Sequence, residues 1–395
     1  MFIVNPANAT SPAPRPALLQ ALGPTGRSHA AALLSACPAH WPTPMHPMDG
    51  LASALGIGSL HVKDEGQRLG LRSFKALGGA YAVMRNVVAR AASELAREVA
   101  AHELRSDSVR AVARTITVAC ATDGNHGRSV AAGARIAGCR AVIFVHAGVS
   151  AARCDAIAAQ GAEIVRTAGS YDDSVAQAAR QSMQNGWTVV SDTSWQGYED
   201  IPLMVMQGYT IMAGEAFDAL PEPPTHIFLQ AGVGGMAAAV AAHALAVYGA
   251  ASPKIIVVEP ERAACLFASA KAGRATAVPQ GEPTIMGMLE CYEPSRIAWE
   301  ILAPLATGFV TLSERSAVDA MRALAHPPPG DPAIVAGESG GAGLAGLTAC
   351  LGDPAASTAL GLGPQSRVLL FNSEGATDPV LYVHHVGATP EEICP

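Results

Sequence analysis

TITVACATDGNHGRSVAAGARIAGCRAVIFVHAGVSAARCDAIAAQGAEIVR, residues 115–166, alternates short apolar runs with Ala-rich segments, and this alternation decides the fold. Residues 115–121 read as a strand, 127–137 as a helix, 140–145 as a strand, 150–160 as a helix and 162–166 as a third strand. Downstream, 171–185 reads as a helix and 187–191 as a fourth strand. Strands separated by helices of this length pair in parallel, so the segment predicts one parallel sheet of about four strands.

Working outward, the first forty-odd residues mix Pro with small residues and read as an irregular arm over a domain surface. A short strand at 60–62 precedes a loop rich in Gly and charge, then a helix over about 73–89 with Lys75 in its first turn. Residues 89–114 read as a helix with a solvated face. Beyond Pro202 a long helix leads to a strand at 225–229, a glycine turn, an Ala-rich helix and a strand at 254–258; the last strand spans 367–371. The expected class is α/β, with two doubly wound domains, mainly parallel sheets and the active site between them. Residues 1–78 with 205–395 make the larger domain and 79–204 the smaller. Ligands of such sheets bind beyond the carboxyl ends of the strands.

Composition narrows the function. Of 395 residues, half are hydrophobic and 15% charged, which excludes a globally disordered chain. A formal charge of −7 offers no basic excess for nucleic acid. The apolar stretch at 236–250 is too short to span a bilayer, so no membrane partner is expected. Eight scattered cysteines, without a CxxC pair or zinc spacing, fit a reducing cytoplasm and no metal. Only four lysines occur, Lys63, Lys75, Lys254 and Lys271, so lysine chemistry has few candidates.

Four constellations sit at strand-to-helix junctions. In Ser73-Phe74-Lys75-Ala76-Leu77-Gly78-Gly79 a cation opens a helix, against the helix dipole. A lysine with its proton affinity depressed by burial is a nucleophile toward aldehydes; a stem snorkelling to the surface is the other reading. Thr122-Asp123-Gly124-Asn125-His126-Gly127 aims backbone N–H groups at an anion, while Asp123 as an ordinary helix cap is the alternative. Gln230-Ala231-Gly232-Val233-Gly234-Gly235-Met236 reads as a small phosphate cradle, since it lacks the P-loop Lys and the third glycine of a dinucleotide fingerprint. Asn372-Ser373-Glu374-Gly375 ends the last strand.

Together the four resemble the fold type II, tryptophan synthase β-like family of pyridoxal-phosphate enzymes, from about residue 39 onward. The resemblance implies pyridoxal 5′-phosphate held on Lys75 as a Schiff base, beside Phe74. It implies phosphate binding by Gly232, Val233, Gly234, Gly235 and Met236, contact of Asn125 with the phenolic oxygen, and Ser373 opposite the pyridine nitrogen. Substrate carboxylate falls to Thr122, Asp123, Gly124, Asn125 and His126. The longer runs KDEGQRLGLRSFKALGGAYA, SDTSWQGYEDIPLMVMQGY, TIMGMLEC and AGESGGAGLAGL are similar to the diaminopropionate ammonia-lyase branch, as is Asp123 in DGNHG.

That branch implies α,β-elimination of 2,3-diaminopropionate, D or L, to pyruvate and two ammonia. Lys75 would serve one enantiomer as base and Asp123 the other, with Asp192 a second acidic position; Asp192 as a turn or helix cap is the structural alternative. A dehydratase of serine, threonine or 3-hydroxyaspartate, or a β-replacement enzyme, is the rival on the same fold. The resemblance further implies a homodimer and allows a pairing of Cys265 with Cys291, two free thiols being the default alternative.

Overall fold

Apolar strands, the central ones rich in Val and Ile and buried on both faces, assemble into two sheets in the computed structural model, which describes residues 1–122 and 124–394. The strands are β1 (Phe2–Val4), β2 (Met45–Pro47), β3 (Ser59–Asp64), β4 (Thr117–Ala121), β5 (Arg140–His146), β6 (Glu163–Thr167), β7 (Thr188–Val189), β8 (His226–Gln230), β9 (Lys254–Pro260), β10 (Ala306–Leu312) and β11 (Arg367–Asn372). The smaller sheet has the order β6-β5-β4-β7, all parallel, as the 115–166 alternation predicts. The larger has the order β1-β10-β9-β8-β11-β3-β2. Its five inner strands are parallel, and β1 and β2 run antiparallel at the two edges. The architecture is α/β with mainly parallel sheets.

Two stretches differ from the sequence reading. The arm contains β1 and two helices, Pro16–Leu22 and Pro24–Leu34. Each helix starts on its proline, where the missing N–H costs nothing and φ is already helical, so residues read as breakers are initiators. Helix Lys75–Glu94 is followed by a 3₁₀ turn at Ala101–Arg105 and a short helix Asp107–Ala113, not one solvated helix.

The Lys75–Glu94 helix packs on both Asn125–Ala137 and Asp200–Ala219 and so joins the surroundings of the two sheets. Ser129 fastens the first of these contacts. Its hydroxyl accepts from the Ala80 N–H at 2.9 Å and donates at 3.0 Å to the carbonyl of Ala76, the residue after Lys75. On the other side Tyr209 lies against Phe74, ring centroids 4.8 Å apart. The lysine is thereby held where both sheets present their strand ends.

Candidate active site

The carboxyl ends of β3, β4, β7, β8 and β11 lead into the segments that carry Lys75, the 122–127 turn, Asp192, the glycine turn and Ser373. Lys75 opens its helix, and its Nζ donates to Asp192 Oδ2 at 2.7 Å. Both side chains are about a fifth exposed. Burial alone would depress the Lys75 ammonium, as the sequence predicts, but the Asp192 carboxylate outweighs burial and raises it above the ordinary lysine range. The same pairing overcomes burial at Asp192 and holds that carboxyl below its usual value. In this arrangement Lys75 is therefore a paired cation.

Asp192 is steered from two directions. The next residues but one, at Ser194, dock on the glycine-turn side: Ser194 N–H donates to Ser295 Oγ at 3.0 Å, the two hydroxyls lie 2.8 Å apart, and Ser194 Oγ accepts from Ile297 N–H at 2.9 Å. Ser295 N–H in turn donates to the Val233 carbonyl at 2.9 Å. On the other side the His126 Nε2–H donates to the Val190 carbonyl at 2.8 Å, and burial lowers the imidazole pKa, so the ring is neutral. His126 thereby also acts on the strand end that carries Asp192.

Within the 122–127 turn, the Thr122 hydroxyl accepts from the N–H groups of Gly124 and Gly127 at 3.0 and 3.1 Å and shapes the loop. Asn125 Nδ2 donates to Glu374 Oε2 at 2.7 Å. Asp123 lies outside the described residues. Arg128, given no role by sequence, donates to the Leu71 carbonyl in the loop leading to Lys75.

The glycine turn fits a bulky anion. Gly234 has φ +96°, a conformation that disfavours a side chain, and a Cβ at Gly232 would stand 2.7 Å from Cys291 Sγ. Helix Gly235–Tyr248 starts here, with its first N–H groups directed at the turn. Cys265 and Cys291 both carry thiols, the former donating to the Gly232 carbonyl at 3.8 Å.

Ser373 follows β11, and its backbone carbonyl accepts from Phe74 N–H at 3.0 Å. Gln230, at the end of β8, places Nε2 2.9 Å from Ser373 Oγ and within 2.9 and 2.8 Å of the Gly340 and Phe371 carbonyls. Two carbonyls fix the amide nitrogen on that side, so Ser373 faces an atom that cannot accept and its own proton is available to an acceptor elsewhere. Lysine amine, amide donor, glycine cradle and a hydroxyl with a proton to give are the groups that hold pyridoxal phosphate, and the residues fit it. Gln230, Glu374 and Glu338 stand inside quoted motifs to which the sequence assigns no role for them; the polar residue closing an apolar strand, at Gln230, is the available signal.

A fold of two parallel sheets with this lysine between their strand ends defines a class. Residues 36–374 match the family described as "Pyridoxal-phosphate dependent enzyme", and the chain belongs to it. It is 39% identical over 343 residues, 85% of either chain, to the diaminopropionate ammonia-lyase of Escherichia coli (strain K12). Identity to the diaminopropionate ammonia-lyase of Salmonella typhimurium is 37% over 350 residues, 86% of either chain. The crystal structure of the Escherichia coli enzyme in complex with D-serine superposes with a TM-score of 0.87 at 34% identity, covering 98% of this chain and 96% of that one.

Proposed function

We infer that the protein is a diaminopropionate ammonia-lyase, converting 2,3-diaminopropionate and one water to pyruvate and two ammonia. The observation that carries the reading is the Lys75–Asp192 pair at 2.7 Å, a half-buried acid beside the lysine that opens its helix, in a chain so similar to lyases of that name. Bound pyridoxal phosphate supplies the electron-withdrawing ring that stabilises negative charge at the substrate α-carbon. Lys75 holds the cofactor and, once its amine is released and neutral, takes the α-proton. Loss of the Lys75 charge leaves the Asp192 carboxylate uncompensated, and a substrate β-ammonium restores the balance where a hydroxyl would not. That charge exchange favours an amine as leaving group. Asp123 is assigned the α-proton of the other enantiomer on the family resemblance.

Asn125 binds the phenolic oxygen, residues 232–236 the phosphate and Ser373 the pyridine nitrogen, with Phe74 beside the ring. A neutral hydroxyl at that nitrogen withdraws fewer electrons than a carboxylate partner would induce, which suits elimination over transamination. We read two domains, 1–78 with 205–395 and 79–204, each built on one sheet, and a cytoplasmic homodimer on the strength of the resemblance. Among the described residues no helix is long and apolar enough to cross a membrane.

The test is release of keto acid and ammonia by the cofactor-loaded protein from D- and L-2,3-diaminopropionate, serine, threonine and 3-hydroxyaspartate. Pyruvate with two ammonia per turnover from diaminopropionate, and little from the hydroxy amino acids, is expected. Turnover of the hydroxy substrates alone would replace the reading with a dehydratase.

A further inference from the structure

Glu374 follows Ser373 and is 3% exposed. Its carboxylate accepts the Asn125 amide N–H at 2.7 Å, bringing the loop beyond β11 in the larger sheet to the 122–127 turn of the smaller. Its backbone reaches two more parts of the site. Glu374 forms an antiparallel bridge with Ser73, two residues before Lys75, and its carbonyl accepts from Gly337 N–H at 3.0 Å. A Cβ at Gly340 would stand 2.2 Å from that carbonyl oxygen, so the glycine is what lets the 337–341 turn close over Glu374.

A primary amide presents either its oxygen or its NH₂ to a neighbour, whereas an ionised carboxylate only accepts. Beside Glu374 the amide of Asn125 is therefore obliged to turn its nitrogen inward. We propose that Glu374 is a positioning residue: by accepting one N–H of Asn125 it keeps the second N–H, and not the amide oxygen, available to the phenolic oxygen of bound pyridoxal phosphate. This rests on the cofactor contacts assigned above.

The surroundings make the orientation respond to pH. Burial and the facing Glu338 carboxylate push the Glu374 carboxyl up to about 7, against the Asn125 hydrogen bond and the charges of Arg153 and Lys75. Arg128 also faces it, the Glu374 charge acting on the guanidinium. Glu338 is itself raised, first by burial, and its Oε1 is buried without a protein partner. Once protonated, Glu374 donates to the Asn125 oxygen as readily as it accepts, and the amide is free to turn over.

The readout is the absorption spectrum of the cofactor-loaded protein titrated through pH 7. The parent is expected to show a spectral transition near that pH, and Glu374→Gln to retain the cofactor through dialysis while losing the transition. Glu338→Gln, which removes the like charge, is expected to lower the midpoint by roughly one pH unit. Glu374→Gln spectra that titrate like the parent's would overturn the proposal. If that variant does not fold, an unmoved midpoint in Glu338→Gln overturns it equally. A chain that takes up no pyridoxal phosphate, with no reducible adduct on Lys75, would overturn the functional reading as well; uptake with spectra indifferent to both glutamates overturns this proposal alone.

Discussion

Lys75 keeps its charge at a helix start because a carboxylate 117 positions away in the chain answers it. The sequence reading depressed its proton affinity on burial and dipole grounds, and both effects are real, but neither reveals Asp192 as its neighbour. Asp192→Asn is expected to lower the Lys75 pKa, since burial would then act unopposed. Cofactor attachment at neutral pH should become faster, while turnover of diaminopropionate falls by at least about 100-fold. Stopped-flow cofactor binding beside steady-state turnover checks both arms, and unchanged turnover would remove Asp192 from the mechanism. What was legible at this scale were residues whose role is written locally: Lys75 at its helix start and the glycines at 232 and 234. Gln230 and Glu374 were not, because their partners lie 143 and 249 positions distant.

At the scale of elements, period and punctuation carried the four parallel strands of the smaller sheet and most of the inner strands of the larger. They missed β1, β2 and β10: two are three-residue edge strands, and Ala306–Leu312, with Gly308 inside it, has a weak alternation. Side-chain caps reaching from another element were equally hidden. Glu259, buried at the end of β9, accepts from Leu266 and Phe267 N–H at 2.8 and 2.7 Å and so caps helix Cys265–Ala272, which flanks the glycine turn. Glu259→Ala leaves both donors buried without an acceptor, an expected loss of about 2–4 kcal/mol by denaturant unfolding. Burial pushes the Glu259 carboxyl from 4.5 up to about 8. The folded state then binds the proton more tightly than the unfolded one, so this group's contribution to stability is greatest below pH 4.5 and declines as pH rises towards 8. In Glu259→Gln that part of the pH dependence should vanish from a series of melting curves.

Across the whole molecule, the loop after β3, rich in Gly and charge, turns Glu65 and Arg68 inside. Arg68 is fully buried and donates to Glu65 at 2.7 Å, Glu215 at 2.6 Å and the Trp41 carbonyl at 2.9 Å; Lys63 donates to Glu215 at 2.7 Å and the Thr43 carbonyl at 2.6 Å. Four charges thus join the N-terminal arm, β3 and helix Asp200–Ala219. Charge patterning cannot distinguish such a network from a surface, since its balance exists only after folding. Removing one member strands the others, and Arg68→Ala is expected to cost about 3–5 kcal/mol with a measurably lower Tm. The arm has a second consequence at the sheet's rim. β1 covers β10 through Phe2, Ile3 and Val4, opposite Val310, Phe309 and Gly308. Deleting those few residues would expose an apolar strand with unpaired backbone groups, an invitation to edge-to-edge association between copies. Light scattering that grows with concentration in the truncated protein, and not in the intact one, would show the arm to be a guard against aggregation.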